Sequence, residues 1–222
     1  MDNDLVSLIA ACTALIGSHI AMSHPLRSPL VRTLGEKGFH AVYSLVSLAI
    51  FGWIVMAFRA SPEFGMPQTG AVGWAFATLL TLIAMILLAG SFSGNPALPQ
   101  SGAENLAKAE PKGVFLVTRH PMMWAIALWA IAHMLLVWNA RTLIVPLAML
   151  VLALVGAKLQ DRKKEQAMGM VWNQWEQRTS YWPRLTRLPD VGLLPWVVGI
   201  AAWLAATYLH TIVGGVPSGV WG

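Results

Sequence analysis

Long apolar stretches alternate with short polar ones along the whole chain. A bilayer-spanning helix needs about 20 mostly apolar residues. Six windows come close to or exceed that length: residues 5–22, 39–58, 70–92, 121–138, 142–160 and 191–213. None of them contains Asp, Glu or Arg. Lys158 lies near the end of the fifth, where its long stem lets the charged head reach water. The pattern predicts an all-α polytopic membrane helix bundle of about six transmembrane helices, forming a single domain over residues 1–222.

The segments between the windows carry their own signals. Ser28-Pro29 reads as N-cap and first residue of a short helix that ends at Gly35. Ser93-Gly94-Asn95-Pro96 breaks the chain after the third window, and residues 97–112 read as polar and irregular. Trp138-Asn139-Ala140-Arg141 reads as a tight turn between the fourth and fifth spans. Over residues 161–182, Met168, Trp172, Trp175, Thr179 and Trp182 recur at helical spacing among polar residues. That pattern suits a helix lying in the membrane interface, as a strut or as a lid.

Composition sharpens the reading. Of 222 residues, 56% are hydrophobic and only 11% charged, against about 25% charged in soluble domains. So few charges exclude an ordinary soluble domain, a disordered chain and a nucleic-acid module. The net charge of +5 is then a matter of placement. With six spans, all but Arg59 and Arg141 of the 15 basic residues fall on one side. The positive-inside rule makes that side cytoplasmic and puts both termini outside the cytoplasm. The localisation implied is a bacterial-type inner (plasma) membrane. The start Met1-Asp2-Asn3-Asp4 is acidic where a cleavable signal would be basic. Trp172, Trp175, Tyr181, Trp182 and Trp196 on one side, and Trp74, Trp138 and Trp221 on the other, suit the headgroup level. Cys12 is the single cysteine, so it has no partner for an internal disulfide.

Ionisable residues within spans default to functional candidates. Here they are mostly histidines: His19, His40, His133 and His210 inside windows, and His120 at the start of the fourth. Imidazole ligates iron, copper and zinc, and histidine ligation of haem suits a helix bundle. No carboxylate or thiolate ligands stand beside these histidines, which favours haem over a bare metal ion. His120 and His133 are thirteen residues apart, roughly 20 Å along a helix at 1.5 Å per residue. By depth, His19 then pairs with His40 or His120, and His133 with His210. A second constellation is Thr118-Arg119-His120-Pro121, with Pro121 opening a helix. Arg119 and His120 there read either as a snorkelling cation and a helix start or as a grip for an anion or carboxylate.

Several of these features together resemble the NnrU family of membrane proteins. They are Gly17-Ser18-His19, Leu34-Gly35-Glu36-Lys37-Gly38-Phe39 leading into Tyr43-Ser44-Leu45-Val46, and Gly94-Asn95-Pro96. Arg119-His120-Pro121 with Trp124, Trp129, Ala132 and His133, and His210 followed by Gly215-Val216-Pro217, complete the set. The resemblance covers nearly the whole chain. It includes the plant 15-cis-zeta-carotene isomerase, which holds haem b and isomerises a polyene when its iron is reduced. Bacterial members are linked with nitric oxide reductase activity. The resemblance implies haem b with His19 and His133 as its ligands; His210, which pairs with His133 by depth, is a further candidate cofactor-binding residue, and Arg119 and His120, the grip at the inner face, are the candidate catalytic residues. The implied partners are the lipid bilayer, a lipophilic small-molecule substrate and a respiratory membrane complex.

A more distant resemblance covers about residues 114–183. Arg119-His120-Pro121, Asp161-Arg162-Lys163-Lys164-Glu165, Gly169, Trp172, Trp175 and Trp182-Pro183 are similar to the isoprenylcysteine carboxyl methyltransferase pattern. It implies S-adenosylmethionine bound at the inner face. Asp161 and Glu165 stand where that family has adjacent glutamates, and Met123 where it has an aromatic residue. Three functions therefore stay open: a haem-dependent isomerase, a non-catalytic factor supporting nitric oxide reduction, and a methyltransferase.

Overall fold

A computed structural model describes residues 3–62, 70–136, 138–214 and 218–221. Its described residues form eight α-helices: α1 (Asn3–Ser23), α2 (Arg27–Ala60), α3 (Gly70–Ser91), α4 (Ala103–Lys108), α5 (Pro121–Leu136), α6 (Ala140–Met168), α7 (Met170–Arg178) and α8 (Leu193–Gly214). Short 3₁₀ turns cover Gly113–Leu116, Leu185–Val191 and Gly219–Trp221. Five helices, α1, α2, α3, α6 and α8, are long and apolar enough to cross a membrane. The sixth apolar helix, α5, has 16 residues. Val137 of the fourth expected window, Met1-Asp2 and the Gly215-Val216-Pro217 motif lie outside the described residues.

The chain divides into two compact units. The first comprises Met1–Gln68 and Val137–Leu152. Its core is built by Leu8, Ala11, Cys12 and Leu15 of α1, Ile54 and Ala57 of α2, and Ala148 of α6. The α1 residues fall three and four apart, so they share one face of the helix. Arg141 donates to the carbonyls of Phe58 (3.4 Å) and Ser61 (3.0 Å) and stacks over the Phe58 ring, satisfying acceptors at the end of α2.

The second unit comprises Thr69–Leu136 and Ala153–Gly222. Here α3 packs against both α5 and α8. Glycine permits the close approach. A Cβ on Gly199 of α8 would stand 2.6 Å from Ile86 Cα of α3, and one on Gly90 would stand 2.4 Å from Val114 Cγ1.

The polar segment after α3 is held by distant side chains. Gln160 Nε2 donates to Ala97 O (3.1 Å) and Lys164 Nζ to Pro96 O (2.8 Å). Arg178 donates to the carbonyls of Ala107 (2.7 Å), Lys108 (3.3 Å) and Ala109 (3.1 Å) at the end of α4.

Four local expectations need correction. Helix α2 starts at Arg27, and Leu26, not Ser28, is its cap residue, with no side-chain capping bond. Pro29 still lies in the first turn, where a missing N–H does no harm. The expected end of the first short helix at Gly35 does hold: with φ 69° and ψ 168°, a conformation that suits glycine, it leaves the helical path there, and the remainder of α2 continues beyond the kink. Residues 97–112 are not wholly irregular, because α4 forms there, stabilised by a Glu104–Lys108 pair at 2.7 Å. Residues 161–182 are not one separate interfacial helix. Helix α6 continues to Met168, Gly169 breaks it with φ 53°, and α7 follows. Trp172 and Trp175 of α7 are buried rather than placed at a headgroup level. Trp175 meets Phe115 edge to face.

Candidate functional site

The histidines divide between the units. His19, on α1, belongs to the first. Its Nδ1 lies 3.0 Å from Leu15 O and its ring meets Tyr43 edge to face at 5.2 Å. His40 is beside Phe39 on α2. His133 and His210, on α5 and α8, belong to the second unit. His133 Nδ1 lies 2.8 Å from Trp129 O, and its ring lies tilted against Trp129 with centres 4.2 Å apart.

The same device therefore occurs at His19 and at His133. A carbonyl oxygen only accepts, so Nδ1 is the donor in both rings. The neutral imidazole then carries its lone pair on Nε2. Metal-binding histidines usually show this arrangement, with the second nitrogen donating to a fixed acceptor that sets the tautomer and ring orientation. Each ring, taken by itself, thus presents an Nε2 lone pair of the kind a metal-binding histidine uses. Among the described residues no group of three or more His, Cys, Asp or Glu is arranged to hold a metal ion.

The Arg-His-Pro corner lies wholly in the second unit. Two stretches of chain run side by side there. Arg119 N donates to Ser180 O (2.8 Å), Arg184 N to Val117 O (2.9 Å), and Thr118 Oγ1 to Tyr181 O (2.8 Å). Pro121 opens α5 and His120 O accepts from Trp124 N, so the backbone fixes both side chains at a helix start. Trp124 Nε1 also donates to Tyr181 O (2.7 Å).

From this frame Arg119 and His120 converge on Asp161 of α6, whose side chain is 0% exposed. Arg119 Nε and Nη2 donate to the carboxylate at 3.1 and 2.8 Å, and His120 Nε2 sits 2.8 Å from Oδ1. Arg119 Nη2 also reaches Glu176 of α7 at 2.9 Å, and its guanidinium lies 5.5 Å from the Tyr181 ring centre. Tyr181 donates its hydroxyl to Leu154 O (2.8 Å). Burial pushes the Glu176 carboxyl above its ordinary range. Arg119 opposes that push, while Asp161 and Glu165 add to it. Burial likewise pushes the Tyr181 hydroxyl up, reinforced by Asp161 and opposed by Arg119.

Arg119 is thus engaged by carboxylates of its own chain. Beside it opens a cavity of about 520 Å³ lined by Arg119, Lys158, Glu165, Asn173, Glu176 and Gln177. Sequence reasoning singled out Arg119 and His120 but not Glu176 or Tyr181 as members of their cluster. Asp161 did leave a signal, because the methyltransferase-like pattern set Asp161 and Glu165 together with Arg119-His120-Pro121.

Five helices of spanning length and apolar composition define a polytopic integral membrane protein. The family model described as NnrU protein matches residues 7–218. The chain belongs to the NnrU family. No curated protein and no solved structure matches it.

Proposed function

We propose that this NnrU-family chain is a membrane haem protein acting as a cis–trans isomerase on a long apolar, carotenoid-like polyene. His19 and His133 are each a candidate ligand for haem b through Nε2, and His210 is a further candidate cofactor-binding residue. The observation that supports this reading is the shared Nδ1-to-carbonyl bond at His19 and His133, which leaves both Nε2 lone pairs for iron. When bound, haem b supplies a redox-active iron able to polarise a double bond. The chain's own contribution is binding and exclusion. The backbone bonds hold each imidazole in one tautomer, and the apolar helices keep water out while admitting a lipophilic substrate from the bilayer. The basic residues orient the chain with both termini outside the cytoplasm of a bacterial-type plasma membrane.

The test is an absorption spectrum of the detergent-purified protein, oxidised and reduced, after expression with ample haem. A Soret band is expected. His19→Ala and His133→Ala should each shift or abolish it, whereas His40→Ala should leave it in place. Protein that purifies without a Soret band refutes the reading.

One observation favours a second reading, an S-adenosylmethionine-dependent methyltransferase. The open cavity beside Arg119 presents Glu165 and Glu176, which suit a ligand bearing a sulfonium and an ammonium group. Calorimetry with S-adenosylmethionine decides it, and no measurable heat of binding removes it.

A further inference from the structure

His120 makes a demand that the described residues do not meet. The residue is 2% exposed, and its Nε2 stands 2.8 Å from Asp161 Oδ1. Arg119 donates to both oxygens of that carboxylate, which marks Asp161 as the acceptor in the cluster. The imidazole proton is then on Nε2, and Nδ1 of the neutral ring is a lone-pair acceptor. Among the described residues this buried Nδ1 has no hydrogen-bond partner. Buried polar atoms are nearly always satisfied, by protein or by ordered water.

A cavity of about 20 Å³ lies beside His120, walled by Asn95, Ala97, His120, Met122, Met123 and Gln160 among others. A water molecule needs roughly 10–15 Å³ and two to four polar partners. The wall has both. Asn95 Nδ2 donates to Ser91 O and its Oδ1 accepts from Ala97 N, which leaves one amide hydrogen and one lone pair. Gln160 Nε2 spends one hydrogen on Ala97 O and keeps the other.

We propose that this cavity is a binding site for a single water molecule, which donates to His120 Nδ1 and accepts from the side-chain amides of the wall. The water completes a chain running from Arg119 through Asp161 and His120. It also holds His120 in one tautomer from the side opposite Asp161. The site is independent of haem, so it stands or falls separately from the function proposed above.

Solid-state NMR of the full chain in lipid bilayers, with ¹⁵N-labelled histidine, tests it. The His120 resonances are assigned by their loss in His120→Gln. The expected spectrum has Nε2 protonated, Nδ1 unprotonated and displaced toward the hydrogen-bonded position, and magnetisation transfer from water to the His120 ring. In Ala97→Val the added methyl groups fill the cavity. The water transfer should then disappear and Nδ1 should move toward its unbonded position. A protonated Nδ1, an unbonded Nδ1 shift or no water transfer in the unmodified protein overturns the proposal. If Ala97→Val does not fold, a high-resolution map of the unmodified protein decides. One isolated peak within hydrogen-bond reach of Nδ1 supports the site, and continuous carbon packing there refutes it.

Discussion

Replacing Asp161 with alanine should be among the most damaging single changes in the second unit. Asp161 is fully buried and accepts from Arg119 and His120 together. Its removal leaves an arginine that is itself nearly buried without its main counter-charge, and His120 Nε2 without an acceptor. Breaking a buried pair by deleting one partner costs about 3–5 kcal/mol. Glu176 remains at 2.9 Å from Arg119 and offers a substitute, which puts the expectation near the lower end, at about 3 kcal/mol. Glu176→Ala supplies the internal comparison. Its side chain is 22% exposed and makes one contact to Arg119, and burial already disfavours its charge. Its loss should cost at most about 1 kcal/mol. The assay is denaturant or thermal unfolding in mild detergent for the two variants and for the pair Arg119→Met with Asp161→Leu. Removing both charges together should recover much of the loss, because apolar residues of similar volume often replace a buried pair without penalty. If Asp161→Ala proves no more damaging than Glu176→Ala, the corner does not hold the unit together and the reasoning fails.

Other consequences follow from the same geometry. Gly199→Ala drives a Cβ into the backbone of Ile86 and should cost about 1–3 kcal/mol, whereas Gly17→Ala meets nothing within 4 Å and should leave the melting temperature unchanged or raised. The Glu176 carboxyl is raised in the folded chain, so the stability from its neutral form is complete below the unfolded pKa and is lost as pH rises through the raised folded pKa. Melting temperatures measured across that window should fall less in Glu176→Gln than in the parent; an unaltered slope would contradict the assignment. Arg178→Ala removes the donor to three carbonyls at the end of α4, and hydrogen exchange over residues 103–109 should speed up while α3 stays protected.

The membrane helices were legible because a bilayer imposes a length on an uninterrupted apolar run, and neither feature depends on the rest of the fold. Their ends were less so. Helix α6 overruns its apolar window because residues 161–168 are mostly good helix formers with no breaker before Gly169. Helix α4 escaped notice because it is six residues long and its cap residue is Gly102, which gives no side-chain signal. Trp172 and Trp175 misled for a different reason. An aromatic stripe looks the same whether it faces lipid or protein, and α7 turns it toward α4 and Phe115. The site was half visible. Pro121 marked the helix start and with it Arg119 and His120, but Asp161 and Glu176 lie 42 and 57 residues further along. No local pattern encodes that pairing. The Nδ1 bonds of His19 and His133 depend on a side-chain rotamer, which spacing alone does not specify.

The polar segment between residues 96 and 109 looks from its composition like the natural place to splice in a fluorescent reporter or an epitope. Its backbone argues otherwise. Gln160, Lys164 and Arg178 reach across 63, 68 and 71 positions to grip its carbonyls. Tolerance to insertion follows the bonding of the backbone and not its polarity. A tag spliced between Ala97 and Ala109 would pull on α6 and α7 together, and through them on Asp161 and Glu176. Tagging would therefore report on a protein whose ionic corner it had already disturbed.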